Sequence, residues 1–172
     1  MSDITLLCEL KPHFRNYLEA KLGSGIGSEE PIEISQRNFL GKTIRVLLAK
    51  TPKHPIYPAK EKSLLFQLPH FHGLNVCVYN YLSSNSQAII QRKVREVFFL
   101  ELHSLIIRGT RRNAFTQKEC IYFFMERYEL FDHITFDALK RSYYRFVESE
   151  IASDSGRELV AIFNQVSSEL FA

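Results

Sequence analysis

The stretch SSNSQAIIQRKVREVFFLELHSLIIRGTRR, residues 83–112, decides how this chain folds. Ile90, Val94, Val97, Phe98, Leu102, Leu105 and Ile106 recur in it at helical spacing. At about 3.6 residues per turn they make one apolar stripe nearly five turns long. Ser83-Ser84-Asn85-Ser86 supply side-chain oxygens for an N-cap. Gly109 fits a C-cap, and Arg108, Arg111 and Arg112 suit the negative end of a helix dipole. A helix from residue 84 to about 108 therefore predicts a mainly α fold, of α+β type, built around one long central element.

Downstream, Thr116-Gln117-Lys118-Glu119 is a capping box: the Thr hydroxyl accepts from the third amide and the Glu reaches back. A helix then runs through Ile121, Phe124, Met125 and Tyr128. After a connection of about six residues, Thr135 caps another helix from Phe136 to about Val147. Phe136, Leu139, Tyr143 and Phe146 form its expected buried stripe. Asp137, Lys140, Arg141, Tyr144 and Arg145 lie opposite. Residues 116–147 thus have a helix–turn–helix order, and the charged face has the residue types that grip guanine edges and phosphates. A plain helical hairpin with a solvated face has the same pattern, and the connection is longer than a tight three-to-four-residue turn. Ser155 to Leu170 reads as a last amphipathic helix.

Upstream, Leu6 to Leu22 reads as one helix interrupted at Pro12. Gly23 to Ser28 is a glycine-rich break. It follows a helix rather than a strand and lacks a closing Lys-Ser/Thr pair, so it reads as a linker, not a phosphate loop. Ile32–Ser35 and Leu64–Leu68 predict a small two-stranded β element. Between them lies a helix of about residues 38–50, capped by Ser35 or Asn38, and a loop opened by Pro52, Pro55 and Pro58. The expectation is a single domain over residues 1–172 with about six helices. Residues 1–28 form the N-terminal helix and linker, 29–112 the basic β-α-β part and long helix, and 113–172 the C-terminal helical part.

The chain has 172 residues, is 45% hydrophobic and 24% charged, and carries a net charge of +3. Those fractions describe a globular chain, and no apolar run is long enough for a membrane span. The N-terminus has no signal-peptide pattern. Cys8, Cys77 and Cys120 are odd in number and far apart, which predicts free thiols in a reducing cytoplasm. The modest +3 is an average over unlike blocks. Residues 36–112 hold thirteen basic residues against Glu61, Glu96 and Glu101, a net +10. Residues 1–35 carry −3, 113–146 carry 0 and 147–172 carry −4. A basic middle suggests a polyanion site, unless the acidic ends fold over it. Phe39, Tyr57, Phe66, Tyr79 and Tyr81 interleave with its cations, as stacking on single strands requires, although core packing claims aromatics too.

Catalytic signals are sparse. His70 and His72 are two apart, not the four of a helical zinc pair, and Cys77 alone does not complete four ligands. His103 and His133 are isolated. A phosphoryl enzyme needs clustered carboxylates, which the basic block lacks. The reading is therefore no enzyme, no metal and no cofactor.

Three stretches carry a resemblance: Phe39–Leu48, Tyr79–Ser83 and Phe136–Arg145. Through them residues 32–146 resemble small uncharacterised helical proteins carried on mobile elements and prophages of gut bacteria. The resemblance implies a bacterial cytoplasmic protein in a setting where DNA is handled. The resulting expectation is a DNA-binding accessory or regulatory protein. Lys140, Arg141, Tyr144 and Arg145 would contact DNA, and Lys42, Arg45, Arg108, Arg111 and Arg112 would hold phosphates. The alternative is a helical protein-interaction module, a homodimer through helix 84–108 with Phe99 and Ile107 to spare.

Overall fold

A computed structural model describes residues 4–23, 25–59, 63–111 and 114–152. In chain order these form β1 (Thr5–Glu9), α1 (Pro12–Leu22), β2 (Ile32–Glu33), α2 (Phe39–Leu47), β3 (Ala49–Lys50), β4 (Ser63–Gln67), β5 (Tyr79–Tyr81), α3 (Ser84–Arg111), α4 (Gln117–Arg127) and α5 (Phe136–Ala152). The expected helix at Ser155–Leu170 lies outside the described residues. The others form two compact units, one up to Arg95 and one from Glu96, divided inside α3.

The first unit is built on a three-stranded sheet in the order β1-β4-β2. β1 runs antiparallel to β4 and β2 runs parallel to it. Register explains its buried face. Leu6 and Ile32 both lie opposite Phe66, and Cys8 lies opposite Leu64. All five are buried, while Thr5 and Glu9 in the same strand are exposed. Burying Phe66 alone removes enough apolar surface to contribute about 2–3 kcal/mol. Phe14, Tyr17 and Leu18 of α1, and Leu40 and Ile44 of α2, add to the unit's core. β3 and β5 form a separate two-stranded ribbon.

Two expectations are corrected here. Leu6–Leu22 is not one helix. Its first residues alternate buried and exposed with a period of two, so they pair as a strand. Pro12 sits in the first turn of α1, where its missing N–H is no loss. The β element is also larger than two strands: β1 joins the expected pair, and β3 with β5 adds the ribbon. Asn38, rather than Ser35, caps α2, its side chain accepting from the Gly41 amide at 2.7 Å. α2 stops at Leu47, and Lys50 belongs to β3.

α3 has most of the expected stripe: Ile90, Val94, Val97, Phe98, Leu102 and Ile106 are buried, while Leu105 is half-buried. Ser83 caps it, accepting from the Ser86 amide at 3.1 Å. Gly109 is not its C-cap, because the helix runs on to Arg111. A Cβ at Gly109 would lie 2.5 Å from Cys120 Sγ. Glycine is there for close packing of α3 against α4.

In the second unit the Thr116–Glu119 capping box is present, with Thr116 N donating to Glu119 Oε2 at 2.7 Å and Glu119 N donating to Thr116 Oγ1 at 3.2 Å. Those contacts hold the Glu119 carboxyl below its ordinary range. α4 ends with Glu129 in a left-handed conformation, φ 49°. Glu129 N donates to Glu126 O and Leu130 N to Met125 O, the paired bonds of a Schellman motif. Leu130 is fully buried, so the turn is anchored. Tyr128, also buried, donates to Glu101 of α3 at 2.6 Å; burial above all, and then that bond, raises its pKa.

Candidate nucleic-acid interface

α2 has a strongly two-sided sequence. It buries Leu40, Gly41 and Ile44 and turns Lys42, Arg45 and Val46 outward. A Cβ on Gly41 would collide with the Ser35 carbonyl, so only glycine lets α2 seat this closely. Arg45 donates to His72 O at 2.7 Å, and the Gln36 amide donates to His70 O. The two histidines therefore belong to a loop docked beside α2, and both rings are exposed.

The ribbon follows directly. β3 and β5 pair antiparallel, with Ala49 opposite Tyr81 and Lys50 opposite Tyr79. The register shifts between Ala49 and Lys50, so Tyr79 and Tyr81, both half-buried, stand opposite consecutive residues of β3. The Lys50 ammonium lies 5.6 Å from the centre of the Tyr79 ring. Tyr57 sits edge-on to Tyr81 at 6.0 Å. The Tyr81 hydroxyl donates to Ile56 O at 3.3 Å, and Thr51 bonds Asn80 at 2.7 Å. Those two bonds hold the proline-rich loop on the ribbon, with Lys53, His54 and Tyr57 exposed.

Residues 34–59 contain no acidic residue and five cations: Arg37, Lys42, Arg45, Lys50 and Lys53. All five are exposed, and none has an ion pair among the described residues. By contrast, Arg15 is neutralised locally by Glu19 at 2.6 Å. Glu19 is buried and also accepts from Gly27 N at 2.8 Å. The glycine break is thus pinned by the chain's own carboxylate, and Gly25 and Gly27 have the positive φ angles that favour glycine.

The second unit carries the remaining expected contacts. Arg141 and Arg145 are exposed, one turn apart on α5, with Arg141 Nε held on Asp137 O at 3.2 Å. Lys140 is half-buried, its ammonium 5.8 Å from the Tyr144 ring. Tyr144 is exposed and its hydroxyl lies 3.5 Å from Gln117 Oε1 of α4. The expected face is therefore two rows: Lys140 with Tyr144 leans toward α4, while Arg141 with Arg145 is free of it. Arg108 and Arg111 are exposed near the end of α3, and Arg112 lies outside the described residues.

The expected buried stripe of α5 is only partly so. Leu139 is fully buried, but Phe136, Tyr143 and Phe146 are half-buried. Phe136 stacks on Tyr122 of α4 at 5.0 Å, and Tyr122 on Phe131 at 6.5 Å. Tyr122, Phe123 and Phe131 form an exposed aromatic set that sequence reasoning missed. The signal was available: Ile121, Tyr122, Phe123, Phe124 and Met125 are consecutive, and one helix face cannot bury all five.

His103 is buried, its Nε2 is 3.1 Å from Ser142 Oγ, and it stacks on Phe146. Burial lowers its pKa to about 4. Cys8 is buried and its thiol is pushed up to about 12, chiefly by that burial. All three cysteines are free. No group of three His, Cys, Asp or Glu among the described residues could hold a metal ion. Nor is any described helix long and apolar enough to cross a membrane. No protein-family model, curated protein or solved structure matches this chain.

Proposed function

We propose that this chain is a non-enzymatic nucleic-acid-binding protein, acting on DNA in an accessory or regulatory role. The observation that carries the reading is the acid-free run 34–59, whose five cations are exposed and have no ion pair among the described residues. Unneutralised cations on one short stretch attract a polyanion and release its counterions. Arg141 and Arg145 add two guanidiniums on an open helix face, able to reach phosphates or guanine edges. The mobile-element setting implied by the resemblance agrees with DNA as the polyanion.

A salt-titrated binding assay on random-sequence duplex tests this. Three to five phosphate contacts predict that log K falls with log salt at a slope of about −3 to −4.5. Absence of binding at about 50 mM salt overturns the proposal. Arg141→Ala with Arg145→Ala should weaken duplex binding and make the slope shallower by about 2. Unchanged affinity removes α5 from the interface.

A second reading, a helical protein-interaction module such as a homodimer, is supported by the exposed Tyr122, Phe123 and Phe131. Along α3, Phe99 and Ile107 are half-buried. Light scattering at twice the 20.1 kDa chain mass, without DNA affinity, favours this reading.

A further inference from the structure

We infer that the β3–β5 ribbon is a stacking platform for single-stranded nucleic acid. The inference rests on the nucleic-acid reading and adds the strand form and the residues that hold it. Single-strand sites combine a positive track for the backbone with aromatic faces for successive bases. Both components occur together on this ribbon. Tyr79 and Tyr81 of β5, both half-buried, stand opposite Lys50 and Ala49 of β3 across an irregular register. Tyr57, on the adjoining loop, meets Tyr81 edge-on at 6.0 Å. Tyr57 is 57% exposed, which makes it the most accessible of the three rings, Tyr79 and Tyr81 being half-buried.

Cations border the rings on the same short segments. Lys50 is placed over Tyr79, Lys53 is exposed in the loop that carries Tyr57, and Lys42 is exposed on the helix that leads into β3. No carboxylate occurs between residues 34 and 59, and the one that borders Tyr57 is Glu9 of β1, which lines a pocket with Ile56, Tyr57 and Pro58. The loop is also ordered in advance, since the Tyr81 hydroxyl holds Ile56 O and Thr51 holds Asn80. Little ordering cost is therefore left for binding. A duplex keeps its bases stacked internally and presents no free base face to these rings. The platform consequently favours a single strand over a duplex of equal charge.

The test compares a twelve-nucleotide oligothymidylate, an abasic strand of equal length and charge, and a twelve-pair duplex. The chain has eight Tyr and no Trp, so its intrinsic fluorescence comes from tyrosine and reports stacking as quenching. The expected result is tightest binding and quenching by oligothymidylate. Tyr57→Ala should weaken that binding about 5- to 100-fold and leave the abasic strand unaffected. Tyr57 is exposed, so this variant keeps its fold, checked by circular dichroism. Tyr79→Ala is the second variant, and Lys53→Ala should weaken all three ligands. Equal affinity for oligothymidylate and the abasic strand overturns the platform while leaving the nucleic-acid reading standing. So does a preference for the duplex. Absence of binding by all three ligands at about 50 mM salt overturns both.

Discussion

His103 should make this protein acid-sensitive by an amount that can be worked out. The ring is 7% exposed, bonds Ser142 and stacks on Phe146, and burial lowers its pKa to about 4. The unfolded chain returns it to about 6.5. Below that value the unfolded state binds the proton more readily than the folded state does. Stability is therefore complete above about pH 6.5 and is lost as pH falls toward 4. At pH 5 the two proton-binding factors differ about thirty-fold, which corresponds to about 2 kcal/mol. Other carboxylates titrate in the same range, so the comparison is made against His103→Gln, which keeps a polar group near Ser142 but carries no proton. Urea unfolding of both proteins at pH 8 and pH 5 gives four free energies. The wild type should lose about 2 kcal/mol more than the variant between those pH values. Losses that agree to within about 0.5 kcal/mol refute the burial account of His103.

Three further substitutions test the packing within each unit. Gly41→Ala forces a Cβ into the Ser35 carbonyl, so α2 must move; a loss of more than about 3 kcal/mol in thermal or urea unfolding is expected, and a neutral result contradicts the seating of α2. Gly109→Ala meets Cys120 Sγ and should cost about 1–3 kcal/mol, whereas the same change in a Cys120→Ala background should cost measurably less; additive costs mean that the two sites are not in contact. Tyr128→Phe removes the buried hydroxyl that bonds Glu101 and should cost about 1–3 kcal/mol in urea unfolding, with no loss of stability contradicting that bond.

The sequence was most legible where a local rule has one solution. α3 followed from its stripe, and the Thr116–Glu119 box from its side-chain chemistry. Asn38 was one of two cap residues that spacing allowed, and geometry chose it. Legibility failed where a local pattern had two solutions. Leu6, Cys8 and Leu10 satisfy a strand as well as the start of a helix, and only the partner strand at Leu64–Gln67 settles which forms. Gly109 met the rule for a helix end, but its role depends on Cys120, eleven residues away in sequence and on another helix. The same distinction holds for the candidate interface. The basic block is visible in composition, and so are its tyrosines. That Tyr79 lies against Lys50 and Tyr81 against Tyr57 depends on the pairing of β3 with β5. That pairing rests on Ala49–Lys50, too short to announce itself as a strand.

The central claim is that the exposed cations of residues 34–59 bind a nucleic-acid backbone. Its most direct test is the salt slope of DNA affinity for the wild type against a variant with Lys42, Lys50 and Lys53 all changed to Ala. These side chains are exposed, so the variant should fold normally. The account predicts weaker binding and a slope shallower by about 2 to 3. An unchanged slope, or no wild-type binding at about 50 mM salt, contradicts it.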